Sequence, residues 1–299
     1  MKIVYVAHVI SWYFCGAVMD AFVNVCKEQG IDYALVDSKE FPNLKASDAD
    51  MFLCADSSEW PDFTKASSPD VLKKTAMWYS DSRINCTERS PGDDYMAMLL
   101  DHSGGWVFQG TTKDVERVQA LGVKRVSWLP FAADPRIWLD TPKEAIQYRT
   151  SFVGNLYENY RAGLIENLQK TESLFWPGQI GAVTTEAAGI YRRSGCGFNA
   201  PTFYKGNFQG RAIDHGINMR VFEVQSCGVP LVTNTDDDLV RLGFHEHTIT
   251  YSDPSEIPNC LSQAIERRDE LGAKGSEVIR SGHTYEHRVR SAFDTLKNA

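Results

Sequence analysis

One segment of the second half places a guanidinium and a carboxylate beside a predicted helix start. Arg220 and Glu223 are three residues apart, so they share one face of that helix near its amino terminus. The free amides and positive dipole of such a terminus attract a diphosphate, and a guanidinium adds a forked cation. Glu223, one turn further in, would accept hydrogen bonds from sugar hydroxyls such as those of a ribose. The same spacing also describes an ordinary surface ion pair, which contributes little to stability.

Other groups of ligand-type residues have structural explanations. Asp236-Asp237-Asp238 follows a predicted strand and opens a short helix, so capping explains these carboxylates better than a metal site. His245 and His247 are two residues apart and do not share a helix face, unlike the histidines of a helical metal motif. The seven cysteines are widely spaced and odd in number. They predict reduced thiols and a cytoplasmic location rather than a disulfide framework.

The elements that must position these residues alternate between strands and helices. Continuous apolar runs in the first half are typical of buried strands. Amphipathic helices are predicted over 17–29 and 112–121. The predicted strands cover residues 3–8, 31–36, 51–55, 76–80, 106–109 and 124–128. This alternation predicts a parallel, doubly wound sheet, followed by a linker that starts with Leu-Pro-Phe-Ala-Ala-Asp at 129–134.

The second half repeats the same pattern. The predicted strands cover residues 151–153, 174–176, 231–233 and 249–251. The predicted helices cover 157–168, 220–227 and 238–242, and a helical tail covers 254–299. A glycine-rich segment over 195–216 is the least regular part. Two such halves predict two Rossmann-like domains facing each other across a cleft at the carboxyl edges of their sheets. One larger α/β domain, or two independent ones, is the alternative.

Composition excludes several classes of protein. The chain has 299 residues, 43% of them hydrophobic, and a net charge of −8. No apolar stretch approaches the roughly 18 residues of a membrane-spanning helix. The first residues are interpreted as a buried strand rather than a signal peptide, because no convincing cleavage site follows them. The acidic balance argues against a protein that coats nucleic acid, although it leaves room for a local basic groove.

The segment Arg-Val-Phe-Glu-Val-Gln-Ser-Cys-Gly-Val-Pro-Leu-Val-Thr at 220–233 resembles the signature of GT-B glycosyltransferases. It is similar in particular to the CgeB-like group and to the retaining group-1 (GT4-like) transferases. The resemblance includes Ser-Phe-Val-Gly-Asn-Leu-Tyr at 151–157 with Arg161, the crossover at 129–134, and His-Thr-Tyr-Glu-His-Arg at 283–288. Trp-Tyr-Ser-Asp at 78–81 is similar to a strand of the CgeB group that ends in an acidic residue.

The resemblance implies a GT-B fold with an acceptor domain over 1–140 and a nucleotide-sugar domain over 141–280. A terminal helix over 281–299 would return to the first domain. It also implies a nucleotide-sugar donor, for which UDP-sugar is our expectation, and no required metal, because helix termini and cations offset the diphosphate charge. The predicted donor-binding residues are Gly154, Asn155, Arg161, Asn218, Arg220 and Glu223.

Arg220, Asp81 and His102 are the predicted catalytic residues. Asp81 would orient or deprotonate the acceptor, although a capping carboxylate is the simpler interpretation. His102 would bond a hydroxyl as a neutral imidazole, although a lone loop histidine is more often solvated. A loop over 11–16 would reach the diphosphate or the acceptor, or else pack on the linker. His215 stands where the wider retaining family has a second glutamate, and this leaves the catalytic details and the retention of configuration open.

The acceptor is either a polysaccharide or glycoprotein precursor, or a hydroxymethylated DNA base. For DNA, the candidate basic groups are Arg117, Lys124, Arg125, Arg192, Arg193, Lys205 and Arg211. Two other functions remain alternatives: a nucleotide-sugar-binding protein without transferase activity, and an epimerase that rearranges its own nucleotide sugar. Turnover of the donor, with and without an acceptor, separates these functions.

Overall fold

A computed structural model gives the architecture. It describes residues 1–7, 13–55, 67–79, 101–139, 144–156, 159–178, 184–200, 203–204, 213–214 and 217–298. The chain divides into two compact units: unit 1 is Met1–Phe131 with Tyr285–Ala299, and unit 2 is Ala132–Thr284. The first segment of unit 1 therefore ends nine residues before the predicted boundary at 140. Unit 1 also includes residues 285–299.

Unit 1 contains a six-stranded parallel sheet in the order β2-β1-β3-β4-β5-β6. The strands are β1 (Lys2–Ala7), β2 (Asp32–Asp37), β3 (Met51–Ala55), β4 (Thr75–Tyr79), β5 (Trp106–Gln109) and β6 (Val126–Trp128). The helices are α1 (Tyr13–Gln29), a 3-10 helix (Ser38–Asn43), α2 (Pro69–Lys73) and α3 (Thr112–Ala120). The apolar run of β1 is buried at five of its six positions, as expected of a strand covered on both faces.

The helices of unit 2 follow in chain order. They are α4 (Pro135–Trp138), α5 (Asn159–Thr171), α6 (Thr184–Arg192), α7 (Met219–Ser226), α8 (Asp237–Arg241), a 3-10 helix (Pro254–Glu256), α9 (Ile257–Glu266) and α10 (Arg268–Gly282). The last helix of the chain, α11 (Tyr285–Lys297), belongs to unit 1. The predicted helical tail over 254–299 is thus a short 3-10 helix followed by three α-helices.

Unit 2 contains a five-stranded parallel sheet in the order β13-β12-β9-β7-β8. Its strands are β7 (Tyr148–Ser151), β8 (Leu174–Phe175), β9 (Ser194–Phe198), β12 (Leu231–Asn234) and β13 (Thr248–Tyr251). A separate antiparallel pair joins β10 (Phe203–Tyr204) to β11 (Ile213–Asp214). The predicted parallel α/β class is confirmed for both units.

The central strand β9 lies inside the segment predicted to be irregular, and this prediction was wrong. The sequence Ser-Gly-Cys-Gly-Phe has low strand propensity. A Cβ atom on Gly197 would lie 2.5 Å from Cγ1 of Val224 in α7, and one on Gly195 would lie 2.7 Å from the carbonyl oxygen of Arg149. The glycines are therefore needed for close packing inside the sheet layer.

Smaller differences concern element ends. Helix α1 begins at Tyr13, so most of the loop predicted over 11–16 is helical, while residues 11 and 12 lie outside the described residues. Only Gly16 weakens that stretch, and one glycine costs a helix about 1 kcal/mol. Strand β7 begins three residues earlier than predicted and ends at Ser151, which places Phe152 and Val153 in the loop that follows it.

The carboxy-terminal helix α11 packs on α1 within unit 1. The rings of Phe22 and Phe293 meet edge to face, with centroids 6.0 Å apart. Arg288 is buried and donates from Nε to the carbonyl oxygens of Pro130 and Phe131, at 3.1 and 3.2 Å. Residues from the end of the chain therefore complete the first unit.

Five cysteines among the described side chains carry free, buried thiols: Cys26, Cys54, Cys196, Cys227 and Cys260. Within the described ranges, none of the helices has the length and apolar character that crossing a membrane requires.

Candidate functional site

The strand order of unit 2 reverses beside β7. Strand β8 lies on one side of β7, and β9 and the later strands lie on the other. Ser151, at the end of β7, is in register with Gly197 in β9. Ligands of open α/β sheets bind at such a reversal, beyond the carboxyl ends of the strands. The candidate site is therefore the set of loops that follow β7 and β9, together with the start of α7.

Asn218 caps helix α7 at this edge. Its side-chain oxygen accepts a hydrogen bond from the amide of Arg220 at 3.0 Å, and its carbonyl accepts one from the amide of Val221 at 3.1 Å. Two amides of the first turn are therefore already satisfied, unlike the free set predicted from the sequence. The attraction of this terminus for an anion comes from the helix dipole and from the guanidinium of Arg220.

Arg220 reaches across to the loop after β7. Its Nε donates to the carbonyl oxygen of Val153 at 2.6 Å, and its guanidinium carbon lies 5.1 Å from the ring centroid of Phe152. Within the described part of the chain, no protein acceptor is bonded to its two terminal nitrogens. These contacts fix the guanidinium plane and leave its outer edge for an anion such as a phosphate.

Gly154 makes room for this guanidinium. A Cβ atom built on Gly154 would lie 2.8 Å from both Cζ and Nε of Arg220, closer than such atoms approach without displacement. The carbonyl oxygen of Gly154 accepts a hydrogen bond from the indole of Trp176 at 3.1 Å, which anchors the loop to the strand beside it. A larger residue at position 154 would therefore displace the guanidinium from this place.

Arg161, predicted to bind the donor, donates hydrogen bonds to backbone carbonyl groups at this edge. It is buried in α5, and its two terminal nitrogens donate to the carbonyl oxygens of Asn155 and Ala200, both at 3.2 Å. Asn155 follows β7 and Ala200 follows β9, so Arg161 ties the two loops of the site together. These bonds hold the loops after β7 and β9 in place.

Glu223 lies one turn after Arg220 and is partly buried. Burial raises the pKa of its carboxyl group from 4.5 to about 7, and the nearby guanidinium of Arg220 opposes this shift. Desolvation disfavours the charged form, so a ligand that donates hydrogen bonds to the carboxylate would restore the charge.

The two other predicted catalytic residues, Asp81 and His102, belong to unit 1. Asp81 lies outside the described residues, two positions after the end of β4. His102 is exposed and precedes β5, at the amino-terminal edge of its sheet, opposite the edge where ligands bind. Its position gives no support to a catalytic role.

The basic residues considered for DNA contact belong to both units. Arg192 is buried and donates to the carbonyl oxygens of Ile137 and Trp138. Lys124 and Arg125 are exposed but precede β6, again at an amino-terminal edge. Arg117 and Arg193 lie 3.8 Å from the carboxylates of Asp114 and Glu144. Lys205 and Arg211, like His215, lie outside the described residues.

Asn199 is a site residue that the sequence analysis missed. It is buried directly after β9 and accepts a hydrogen bond from the side chain of Asn218 at 3.0 Å. A polar residue at the carboxyl end of a central strand is the signal that could have found it, but β9 itself was not recognised.

Capping, as predicted, accounts for the acidic triplet. Asp236 caps α8, and its carboxylate accepts from the amide of Asp238 at 2.9 Å. Across the described residues, His, Cys, Asp and Glu side chains do not gather in a group of three or more that could hold a metal ion.

Two surface cavities lie elsewhere. One of about 540 Å3 in unit 2 is lined by Leu139, Cys227 and Arg280, at the carboxyl end of α7. The other, of about 490 Å3 in unit 1, lies at the amino-terminal edge of its sheet beside Lys73 and Arg125. Neither is lined by the residues of the candidate site.

Comparison with known proteins gives the family. A family model described as glycosyl transferase-like matches residues 136–294, just over half of the chain. The chain belongs to this glycosyltransferase family. The match includes α7 and all of the candidate site, and it confirms the expected enzyme class. No curated protein is similar to the chain at a significant level.

Solved glycosyltransferases share the fold over nearly their whole length. An alpha-glucosyltransferase in complex with UDP and a 13-mer DNA containing an HMU base is 10% identical, with a TM-score of 0.65 over 99% of each chain. T4 phage beta-glucosyltransferase is 11% identical, with a TM-score of 0.55 over 98% of each chain. AviGT4, involved in avilamycin A biosynthesis, is 11% identical, with a TM-score of 0.63 over 99% of this chain and 97% of its own. The GT-B fold is thereby confirmed.

Proposed function

We propose that this glycosyltransferase takes its sugar from a UDP-sugar bound at the candidate site of unit 2. The observation that carries the proposal is the guanidinium of Arg220, held over Phe152 with its outer nitrogens uncommitted within the described structure. It lies at the positive end of α7, and both features favour a diphosphate. The alpha-glucosyltransferase of the same fold binds UDP, which supports a uridine nucleotide.

Each site residue then has a role in holding the donor. Arg220 contacts the diphosphate, Gly154 and Asn155 form the loop beside it, and Asn218 sets the start of α7. Glu223 accepts hydrogen bonds from the ribose hydroxyls. Arg161 holds the loops after β7 and β9 through its hydrogen bonds to their backbone carbonyl groups. Because a guanidinium and a helix dipole balance the diphosphate charge, we propose that catalysis needs no metal.

The proposed transfer breaks the bond between the anomeric carbon and the diphosphate oxygen. The acceptor oxygen bonds to that carbon, and its proton passes to the departing diphosphate. Arg220 stabilises the negative charge that develops on the leaving group. The resemblance to the CgeB-like and group-1 transferases supports attack from the face of departure, which retains configuration. The anomeric configuration of the product, read by NMR, tests this step.

Two acceptor classes are each favoured by one observation. The DNA-bound alpha-glucosyltransferase and T4 phage beta-glucosyltransferase favour a hydroxymethylated base. Charge favours a saccharide hydroxyl instead: unit 1 carries 16 basic against 20 acidic residues, and unit 2 carries 15 against 19. AviGT4 and the lipopolysaccharide galactosyltransferase WaaB share the same fold. Activity on hydroxymethylated DNA that falls steeply with salt would identify the first class.

Donor turnover tests the proposal. The enzyme is incubated with UDP-glucose or UDP-galactose and with each acceptor class, and UDP release is measured. We expect Arg220→Gln to lose at least tenfold in kcat/KM, and Arg241→Gln, which removes an exposed arginine of α8, to retain activity. Donor binding without UDP release would indicate a binding protein. Donor rearrangement without acceptor would indicate an epimerase.

A further inference from the structure

Asn199 links three structural elements at the carboxyl edge of the unit 2 sheet. It is 2% exposed and follows β9. Its backbone amide donates to the carbonyl oxygen of Val232 in β12 at 2.8 Å, and its carbonyl oxygen accepts from the hydroxyl of Tyr251 in β13 at 3.4 Å. The backbone of Asn199 is thus held by contacts with β12 and β13.

The side chain of Asn199 belongs to a hydrogen-bond chain with a single direction. Nδ2 of Asn218 donates to Oδ1 of Asn199 at 3.0 Å, and Nδ2 of Asn199 donates to Oγ1 of Thr233 at 2.9 Å. The hydroxyl of Thr233 donates in turn to Oδ1 of Asn234 at 3.2 Å. The backbone amide of Arg220 can only donate, so Oδ1 of Asn218 must face it and Nδ2 of Asn218 must face Oδ1 of Asn199. Nδ2 of Asn199 then faces Thr233, and the orientations of both amides are fixed.

This chain controls the cap of α7. Because Nδ2 of Asn218 is bound to Asn199, Oδ1 of Asn218 faces the helix and accepts from the amide of Arg220 at 3.0 Å. A reversed Asn218 amide would place its own N–H groups against the N–H group of Arg220, and no hydrogen bond could form between them. Asn199 therefore supports the capping orientation of Asn218 at the turn that carries Arg220.

We propose that Asn199 and Thr233 are positioning residues for the donor diphosphate, acting through Asn218 on the first turn of α7 and on Arg220. The inference rests on the proposed function, since it presumes that Arg220 binds the diphosphate. Neither residue needs to touch the ligand. A buried amide that donates and accepts at once is required at position 199, and an aliphatic or acidic side chain of similar size cannot replace it.

Paired nucleotide affinities test this role. Calorimetry measures the dissociation constants of UDP and uridine for the full-length wild-type protein and for Asn199→Ala, Thr233→Val and Thr233→Ser. We expect the first two variants to lose about tenfold in UDP affinity while uridine affinity stays within twofold. Thr233→Ser keeps the hydroxyl and should restore wild-type affinity. Thr248→Val is the matched control, because Thr248 is buried in the adjacent strand and its hydroxyl makes no hydrogen bond with the described chain.

The double variant Asn199→Ala/Thr233→Val should lose no more UDP affinity than Asn199→Ala alone, because both changes break one chain. Equal losses for UDP and uridine, or additive losses in the double variant, would overturn the inference and indicate general loosening of the fold. A wild-type protein that binds UDP no better than uridine would overturn the proposed function as well. Wild-type binding with unaffected variants would overturn this inference alone.

Discussion

Gly154 is the residue at which a single methyl group should weaken donor binding. In Gly154→Ala the new Cβ would lie 2.8 Å from Cζ of Arg220, so the guanidinium must shift from its place over Phe152. We expect calorimetry to show at least a tenfold loss of UDP affinity, in line with a lost charge-assisted interaction of about 1.5–3 kcal/mol.

Gly163→Ala is the matched control for that substitution. Gly163 lies in α5, where a Cβ atom would have no neighbour within 4 Å. Alanine there should leave UDP affinity unchanged and stabilise the protein by up to about 1 kcal/mol. Unchanged affinity in both variants would contradict the placement of the diphosphate beside Arg220.

Glu223 should make donor binding depend on pH near neutrality. Its pKa of about 7 means that the carboxylate, which we propose accepts hydrogen bonds from the ribose, is lost as the pH falls below that value. We expect the dissociation constant of UDP-glucose to rise by up to about tenfold per pH unit below 7. Burial holds the pKa of Tyr191 above its usual value and raises that of Cys227 to about 12, so neither titrates in this range.

Glu223→Gln separates this effect from other titrations. The variant should bind UDP-glucose more weakly at pH 8 and show a flat affinity between pH 6 and 8. The raised pKa also means that ionisation of Glu223 destabilises the fold, so wild-type stability falls as the pH rises from 4.5 through 7. The same variant should therefore raise the melting temperature at pH 8 but not at pH 4. An unaltered pH profile of donor affinity would exclude Glu223 from the site.

The buried side-chain amide of Gln109 should lower the free energy of unfolding of the wild-type protein. Its side chain is fully buried at the end of β5, and neither amide atom finds a hydrogen-bond partner in the described chain. Gln109→Met keeps the length and removes the unsatisfied groups, so we expect a gain of about 1–3 kcal/mol in the free energy of unfolding. Chemical denaturation measures it, with the exposed Gln119→Met in α3 as a near-neutral control. A loss of stability in Gln109→Met would show that the amide is satisfied in solution.

At the residue scale, sequence could identify side chains that are suited to bind a ligand. It could not show which of them are already hydrogen-bonded within the protein. Arg220 and Glu223 were predicted from type and spacing, and the structure places them at the sheet edge. Arg161 has the same chemistry, yet its donors are bonded to backbone carbonyls, which no sequence pattern shows. Asn199 acts through the orientation of a buried amide, which depends on partners up to 34 residues away.

The packing of β9 against α7 is the decisive contact between elements. Gly197→Ala places a methyl group 2.5 Å from Val224 in a buried layer, and overpacking of this kind costs about 1–3 kcal/mol. We expect denaturation to show this loss and Val224→Ala to offset much of it in the double variant. Additive losses in the double variant would contradict direct contact.

Strand prediction failed where close packing requires small residues. Strands β1, β3 and β5 stand out in the sequence as continuous apolar runs, because both faces of these strands are buried. Strand β9 instead uses glycine so that α7 can approach the sheet edge closely. The element that brings the site together is therefore the one with the weakest sequence signal.

For the whole molecule, the end of the chain should control the stability of unit 1. Phe293 is 1% exposed and packs against Phe22 of α1. We expect Phe293→Ala to cost about 3–5 kcal/mol, measured as a lower unfolding midpoint. Hydrogen exchange should rise in α1 and β1 before it rises in unit 2. Equal increases in both units would contradict the assignment of α11 to unit 1.

The two-unit α/β plan was predictable because alternating strands and helices leave few topologies. The point at which unit 1 ends was not, since Phe131 belongs to unit 1 through its contact with Arg288, more than 150 residues later. Contacts at that separation leave no local pattern.

A crystal structure of the full-length protein with UDP bound tests the central claim most directly. We expect the diphosphate within hydrogen-bond distance of the outer nitrogens of Arg220, beside Gly154, and the ribose hydroxyls on Glu223. UDP bound in the cavity at the opposite end of α7, or anywhere else that leaves Arg220 in solvent, would contradict the account.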